Sequence, residues 1–100
     1  MSRIDGTARI PAGSVELVER LAELGRFGGL EVGVWEMAPG VERDVEADEL
    51  FVVIAGRGTI DFPATGRRME LAPGDVVRLS AGDETVWTVT ETLRKVYVTP

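Results

Sequence analysis

The longest strongly apolar run in this chain is Leu50-Phe51-Val52-Val53-Ile54-Ala55. A strand points alternate side chains to opposite faces of its sheet, so a short run that is apolar on both faces is typical of a buried central strand. The next three residues, Gly56-Arg57-Gly58, include two glycines, which favour a turn. We therefore expect a sheet in which residues 50–55 form a central strand that ends at a turn.

Short strands are also predicted on both sides of this central strand. Upstream, apolar residues alternate with other types over residues 30–34, which is the period of a strand with one buried face. Downstream, sequences rich in Gly, Pro and Asp separate further apolar segments at residues 59–62, 67–71, 76–79 and 85–89, and a last apolar segment follows at residues 93–99. About seven short strands separated by such turns predict an antiparallel sandwich or barrel.

The segment before these strands has a helical period instead. Its apolar positions fall on one face of a helix: Leu17, Val18, Leu21 and Leu24. Ser14 is a suitable N-cap and Gly25 a suitable C-terminal stop. We predict one domain, with an N-terminal segment over residues 1–29 that contains a short helix at about 14–24, and a barrel over residues 30–100.

Composition and charge exclude several classes of chemistry. The 100 residues contain no histidine and no cysteine. This excludes disulfides, zinc fingers, iron–sulfur clusters and nucleophiles activated by histidine. A net charge of −6 disfavours nucleic acid and anionic membrane surfaces as partners. The chain shows neither a signal-peptide pattern nor an apolar run of membrane-spanning length, so we expect a cytoplasmic protein.

Residues 40–56 and 74–87 resemble the two motifs of the cupin family. The first stretch contains the motif residues Gly40, Glu49 and Gly56, and the second contains Gly74, Ser80, Gly82 and Thr85 at the motif places. The pattern is similar to that of cupins related to ureidoglycine aminohydrolase and to ethanolamine-utilisation cupins, through Trp35-Glu36-Met37-Ala38-Pro39-Gly40 and Arg94-Lys95-Val96-Tyr97-Val98. The resemblance implies an all-β, cupin-type antiparallel jelly-roll barrel, here with a short N-terminal helix.

The metal site that the resemblance implies lacks most of its ligands. Metal-binding cupins use two histidines and a glutamate from the first motif and one histidine from the second; Glu49 and Thr85 stand at two of these places. Depending on spacing, the others fall on Arg43 and Val45 or on Glu42 and Asp44. We expect no cofactor and no tightly bound metal, with Asp44 and Glu49 as weak alternative ligands for labile manganese or magnesium.

A ligand pocket is expected in the barrel mouth. Its predicted residues are Trp35, Arg43, Glu49, Phe51, Thr85 and Trp87. Glu49 is either a pocket residue, and then the candidate general acid or base, or one half of a structural ion pair with Arg43 or Arg78. The strand period puts Glu49 on the same face as Phe51.

Other polar residues have simpler interpretations. The acidic run over residues 42–49 is interpreted as a solvated loop leading into the central strand. Tyr97 is interpreted as a packing residue at an edge, and Arg94-Lys95 as part of a solvated final strand.

These observations favour a protein that binds a small polar or organic-acid-like molecule without a tightly bound metal. One alternative is a small hydrolase or isomerase of the ureidoglycine aminohydrolase type that uses Glu49 as general acid or base. Another is a structural dimerisation module, because strands near a chain terminus can pair as edges. The expected partners are a small-molecule ligand and a second copy of the chain.

Overall fold

The computed structural model describes residues 3–100, and these form seven β-strands. The strands are β1 (Leu21–Phe27), β2 (Leu30–Met37), β3 (Gly40–Val45), β4 (Glu49–Phe62), β5 (Arg67–Leu71), β6 (Val76–Leu79) and β7 (Glu84–Thr99). Every pairing between them is antiparallel. The predicted all-β antiparallel architecture is confirmed. No helix in this part of the chain is long and apolar enough to cross a membrane.

The two longest strands, β4 and β7, form the frame of the molecule. They pair with each other along most of their length. The first half of β4 also pairs with β6 and its second half with β5. The first half of β7 pairs with β3 and its second half with β2, which in turn pairs with β1. All seven strands therefore belong to one continuous sheet, in which each long strand pairs with different neighbours along its two halves, and the buried residues lie on its inner face.

The predicted turn at Gly56-Arg57-Gly58 is wrong, because β4 continues through it. The register of β4 against β7 shifts between Val53 and Gly58, so these residues form an irregular, bulged crossing rather than a reversal. Gly56 has a φ of +89°, and a Cβ atom there would lie 2.1 Å from the carbonyl oxygen of Thr92. Glycine is required at position 56 because the backbones of β4 and β7 approach each other closely. In the sequence, such a glycine cannot be distinguished from one that forms a turn.

The predicted helix over residues 14–24 is also wrong. The structure has a short 3-10 turn at Ala12–Ser14, and β1 begins at Leu21, before the predicted start of the barrel. Pairing with β2 buries Ala22 to 4% exposure, whereas Val18 on the predicted apolar face stays 74% exposed. A helix of this length is marginal alone, so the backbone bonds and burial offered by β2 decide the outcome.

Two of the seven strands were not predicted, and two others were each predicted as a pair of shorter strands. The missing strands are β1 and β3, the latter in place of part of the predicted acidic loop. The predicted strands at residues 50–55 and 59–62 are joined in β4, and those at 85–89 and 93–99 are joined in β7. Breaks in the apolar pattern predict turns, but the same residue types also occur where a continuous strand bends.

The core agrees with the predicted alternation of faces. Phe51 and Val53 on β4 are buried, at 1% and 0% exposure, and lie on the face that carries Glu49. Thr85, Trp87 and Val89 share the buried face of β7. The largest fully buried side chains are Phe51, Ile60, Leu79, Leu93, Val34 and Val53.

Candidate functional site

A cavity of about 190 Å³ opens into the barrel between β2, β3, β4 and β7. Its charged lining residues are Arg20, Glu42, Asp44, Glu46, Glu49 and Lys95. Its apolar and aromatic lining residues are Leu21, Trp35, Met37, Trp87 and Tyr97. Aromatic walls with a few convergent polar groups are typical of a small-molecule site.

The period of β3 directs its acidic residues into this cavity. Glu42 and Asp44 alternate along the strand, Glu46 follows at the same spacing, and all three line the cavity. Arg43 has the opposite orientation, is exposed, and lines a separate groove on the other side of β3. The structure therefore places Arg43 outside the predicted pocket, because its neighbours in the sequence occupy the inward positions.

Glu49 forms a buried ion pair with Lys95. The Lys95 ammonium donates a hydrogen bond of 2.6 Å to Glu49 Oε2, and the two side chains are 7% and 20% exposed. The predicted partners of Glu49 are therefore wrong: Arg43 points away, and Arg78 lies beside Leu50 on the outer face of the sheet. The interpretation of Lys95 as a solvated residue is also wrong, since it is among the most buried polar residues of residues 3–100.

Three aromatic rings surround the Lys95 ammonium. The Nζ atom lies 4.6 Å from the ring centroid of Trp35, 4.4 Å from that of Phe51 and 4.8 Å from that of Trp87. Trp87 contacts both other rings, with centroid separations of 5.6 and 5.7 Å. Ring faces attract a cation, so these rings replace part of the water that burial removes from the ammonium. Phe51 therefore lies behind the cavity wall and supports the lysine.

Glu46 is held in place by both its side chain and its backbone. Thr85 Oγ1 and Trp87 Nε1 donate hydrogen bonds of 2.6 and 2.9 Å to Glu46 Oε2. The Glu46 amide donates to the Asp83 carbonyl, and the Glu46 carbonyl accepts from the Gly82 amide. Both side-chain bonds reach the same oxygen, and Oε1 accepts none from residues 3–100. Thr85, at 2% exposure, is a support for Glu46 behind the cavity wall.

Arg20 and Glu42 form an ion pair that lines the same cavity. Arg20 donates two hydrogen bonds to the Glu42 carboxylate, and its guanidinium lies 5.4 Å from the Trp35 ring centroid. These hydrogen bonds lower the pKa of Glu42 and raise that of Arg20. Glu19 and Arg20 both have positive φ, and the Arg20 carbonyl accepts a bond from the amide of Glu36. Arg20 was missed because it lies within the predicted helix.

Tyr97 also lines the cavity and does not lie at an edge, because β7 pairs with β2 on one side of it and with β4 on the other. It is 5% exposed, and its hydroxyl donates a hydrogen bond of 2.7 Å to Glu31 Oε2. Gly33 lies directly across the sheet, and a Cβ there would be 2.4 Å from the Tyr97 hydroxyl oxygen. The absence of a side chain at Gly33 therefore allows the phenol to reach Glu31. Burial, and then the bond to Glu31, raise the pKa of Tyr97 well above its usual range.

We expect the Tyr97 phenol to stay protonated in the folded protein at a pH that ionises it in the unfolded chain. Because the folded pKa is raised, this stability contribution is complete below about pH 10, the ordinary pKa, and is lost as pH rises further. Tyr97 is the only tyrosine, so ultraviolet absorbance against pH follows it alone. Tyr97→Phe serves as the blank. Equal midpoints in buffer and in urea would contradict this prediction.

The residues present do not fit the metal site that the resemblance implies. Within residues 3–100, no group of three or more Asp and Glu side chains is arranged to hold a metal ion. Of the carboxylates at or near the ligand places, Glu49 contacts the Lys95 ammonium and Glu42 contacts Arg20. A divalent ion beside Glu49 would also meet the positive charge of Lys95.

Sequence reasoning missed Lys95 and Glu46 as cavity residues, although a signal for each was present. Lys95 alternates with Leu93 and Tyr97, which occupy inward positions of the same strand. Glu46 continues the two-residue spacing of Glu42 and Asp44. In both cases charge was taken as evidence of exposure, and it outweighed a strand period that predicted the inward face.

The profile of the EutQ-like cupin domain matches residues 24–97. The EutQ protein of Clostridium difficile is 22% identical, with 99% of this chain and 90% of that chain covered and a TM-score of 0.77. A protein of unknown function from Rhizobium leguminosarum is 23% identical, with 82% of each chain covered and a TM-score of 0.69.

A cupin-2 domain protein of Shewanella frigidimarina is 14% identical, with 88% of this chain and 86% of that chain covered and a TM-score of 0.68. Among curated proteins, none matches this chain. The matches support the ethanolamine-utilisation side of the predicted resemblance, and they do not bear on its ureidoglycine aminohydrolase side. At these identities the structures support the fold, and the profile covers most of the chain. The chain belongs to the family of EutQ-like cupin domains.

Proposed function

We propose that this protein binds a small polar molecule in the cavity lined by Trp35 and Trp87, without a tightly bound metal ion. The observation that carries this proposal is the convergence of a fixed donor, Lys95, and a fixed acceptor, Glu46, on one cavity with aromatic walls. Such polar groups fix the orientation of a ligand, while the ring faces supply contact area. The size of the cavity, about 190 Å³, limits the ligand to a small molecule.

The charges of the cavity favour a ligand that is not an anion. The lining contains four carboxylates and two cationic groups. Both cationic groups are paired, Arg20 with Glu42 and Lys95 with Glu49, so the remaining charge comes from Asp44 and Glu46. An organic acid would be repelled by this excess of carboxylates. A neutral or zwitterionic polar molecule is therefore the better candidate of the predicted ligand classes.

We expect Trp fluorescence to report ligand binding, because both tryptophans of the chain line the cavity. A panel of small amides, polyols, amines and carboxylates is titrated into the protein. At least one compound should shift the emission saturably, and Trp35→Leu should weaken it at least tenfold through the loss of ring contact. Phe27→Leu, at an aromatic residue 76% exposed and outside the cavity, is the matched control. A panel without a binder, or equal affinity in Trp35→Leu, would refute the proposal.

The alternative with Glu49 as general acid or base is less well supported. The Glu49 carboxylate accepts a hydrogen bond from the Lys95 ammonium, which balances its charge and occupies one of its oxygens. Removal of Glu49 also leaves Lys95 without its counterion, so loss of turnover in Glu49→Gln would not identify a catalytic role by itself. The informative variant is Glu49→Gln combined with Lys95→Met.

The outer face of the sheet favours a second copy of the chain as a partner. Aliphatic residues continue across β2, β7, β4 and β6 at Leu30, Val32, Val98, Val96, Leu50, Val52 and Val76. Leu50 is 43% and Val76 is 64% exposed, and Arg78 and Asp48 provide opposite charges at the border. We propose a homodimer through this face. Sedimentation velocity should give a dimer, and Leu50→Glu a monomer; a monomeric parent protein would refute it.

A further inference from the structure

We propose that the Lys95 ammonium takes the place of a metal ion in this cavity, as a fixed positive charge that donates a hydrogen bond to an oxygen of the bound molecule. The first half of this inference concerns the chain alone. The second half rests on the proposed function, since it names the group of the ligand that Lys95 would contact. The two halves are tested separately.

The position of Lys95 is an inward position of the barrel. On β7 it lies opposite Trp35 of β2 and opposite Val53 of β4, so its side chain starts on the core side of both neighbouring strands. The residue is 5% exposed. Burial of an ammonium is unfavourable unless it is paired, and an apolar side chain would fill this space at least as favourably. Folding alone therefore gives no reason for a lysine here.

The surroundings of Lys95 are arranged to hold a cation. Glu49 supplies the countercharge at 2.6 Å, and the ring faces of Trp35, Phe51 and Trp87 lie within 4.8 Å of the ammonium. Three aromatic faces and one carboxylate together provide favourable contacts for an ammonium ion. Here the ammonium belongs to the side chain of Lys95 on β7.

Lys95 retains hydrogen-bonding capacity toward the cavity. An ammonium carries three N–H donors, and the hydrogen bond to Glu49 uses one of them. No second acceptor within residues 3–100 makes a hydrogen bond to Nζ, and ring faces accept positive charge without using a directed lone pair. The remaining donors are therefore available to an oxygen of a molecule in the cavity.

Glu49 links this arrangement to the metal site that the fold family implies. It stands at the place of the glutamate ligand, and here its carboxylate meets the Lys95 ammonium instead. As in the implied metal site, the glutamate carboxylate contacts a positive charge, but other residues occupy the positions of the histidine ligands. An ammonium polarises a ligand oxygen by hydrogen bonding and charge.

The chemistry of the opposite wall narrows the ligand class. Glu46 Oε1 accepts no hydrogen bond from residues 3–100, and its carboxylate is fixed by Thr85 and Trp87. A molecule bound between Lys95 and Glu46 therefore needs an oxygen acceptor at one end and an N–H or O–H donor at the other. Small neutral amides and hydroxycarbonyl compounds meet both requirements, whereas a simple carboxylate lacks the donor.

The first half of the inference, that Lys95 takes the place of a metal ion (the metal-place half), is tested with Mn²⁺ alone. Lys95→Ala removes the internal cation and exposes Glu49, so we expect this variant to bind Mn²⁺ at least tenfold more tightly than the parent protein. Free Mn²⁺ is measured by electron paramagnetic resonance, and quenching of Trp35 and Trp87 locates the bound ion. Glu49→Gln combined with Lys95→Ala should lose the gain. An unchanged Mn²⁺ affinity in Lys95→Ala, or a gain that persists without Glu49, would overturn the inference.

Circular dichroism establishes whether Lys95→Ala is folded. If it is not, Lys95→Gln replaces it, because glutamine is uncharged and its side chain is only one atom shorter than that of lysine. The ligand half uses the small amides of the panel together with small hydroxycarbonyl compounds. Compounds of these classes that bind the parent protein should bind Lys95→Gln at least tenfold more weakly. Equal binding would overturn the ligand half alone. A gain in Mn²⁺ affinity together with a panel that contains no binder would refute the proposed function and retain the metal-place half.

Discussion

Glu49→Leu is expected to lower the free energy of unfolding by about 3–5 kcal/mol, the range found when one partner of a buried ion pair is removed. The substitution leaves the Lys95 ammonium among three aromatic rings with no carboxylate in contact. The lysine side chain is 7% exposed, so water can replace little of the lost interaction. Denaturant unfolding followed by circular dichroism measures the change.

Lys95→Met in the Glu49→Leu background should recover most of this loss. The double variant replaces a buried ion pair by two apolar side chains of similar volume, which is often neutral or stabilising. Lys95→Met alone should cost less than Glu49→Leu, because the Glu49 side chain is 20% exposed and retains some contact with water. If the double variant is as unstable as Glu49→Leu, the loss arises from packing at Glu49 and not from the unpaired charge.

This experiment also decides how functional data on Glu49 are interpreted. Glu49 was the first residue to test on sequence grounds, because it is the one ligand of the family motif that remains. In the structure it supports the position and charge of Lys95. A change in binding in Glu49→Gln therefore has two sources, a lost carboxylate and a displaced lysine. Variants of Glu46, whose side-chain partners are all neutral, lack this ambiguity.

Local sequence was sufficient for those features that depend on nearest neighbours. The turn after β4 at Pro63-Ala64-Thr65-Gly66 contains the residue types that turns require, and the structure has a turn there. The inward face of β4 followed from a two-residue period, and Phe51 and Val53 are buried accordingly. Neither prediction required knowledge of which strand lies next to which.

Features that depend on distant contacts were not predicted. The predicted helix over residues 14–24 overlaps the start of β1, and residues 21–24 form a strand because β2 offers them an edge. The ion pair between Glu49 and Lys95 joins residues 46 apart, and the bond between Glu46 and Trp87 joins residues 41 apart. Burial of a charged residue can be predicted only when its partner of opposite charge is known. To identify that partner, one must know which strands pair with each other.

Gly56→Ala is expected to lower the free energy of unfolding by about 2–5 kcal/mol, the sum of two independent costs. The φ of +89° at Gly56 is unfavourable for a residue with a Cβ atom, by about 1–2 kcal/mol. The added atom would also lie 2.1 Å from the Thr92 carbonyl oxygen and 2.6 Å from Leu93 Cα. Both neighbours are backbone, so relief requires the two long strands to separate, at an overpacking cost of about 1–3 kcal/mol.

Two matched glycines separate these costs. Gly66 has a φ of +72° with no atom within 4 Å of the added Cβ, so Gly66→Ala should show the conformational cost of about 1–2 kcal/mol alone. Gly13 has neither a positive φ nor a close neighbour, and Gly13→Ala should be nearly neutral. If Gly56→Ala costs no more than Gly66→Ala, the strands do not cross as closely as described. A larger cost at Gly56 attributes the β4 irregularity to close backbone contact with β7, at the point where β4 passes from its pairing with β6 to its pairing with β5.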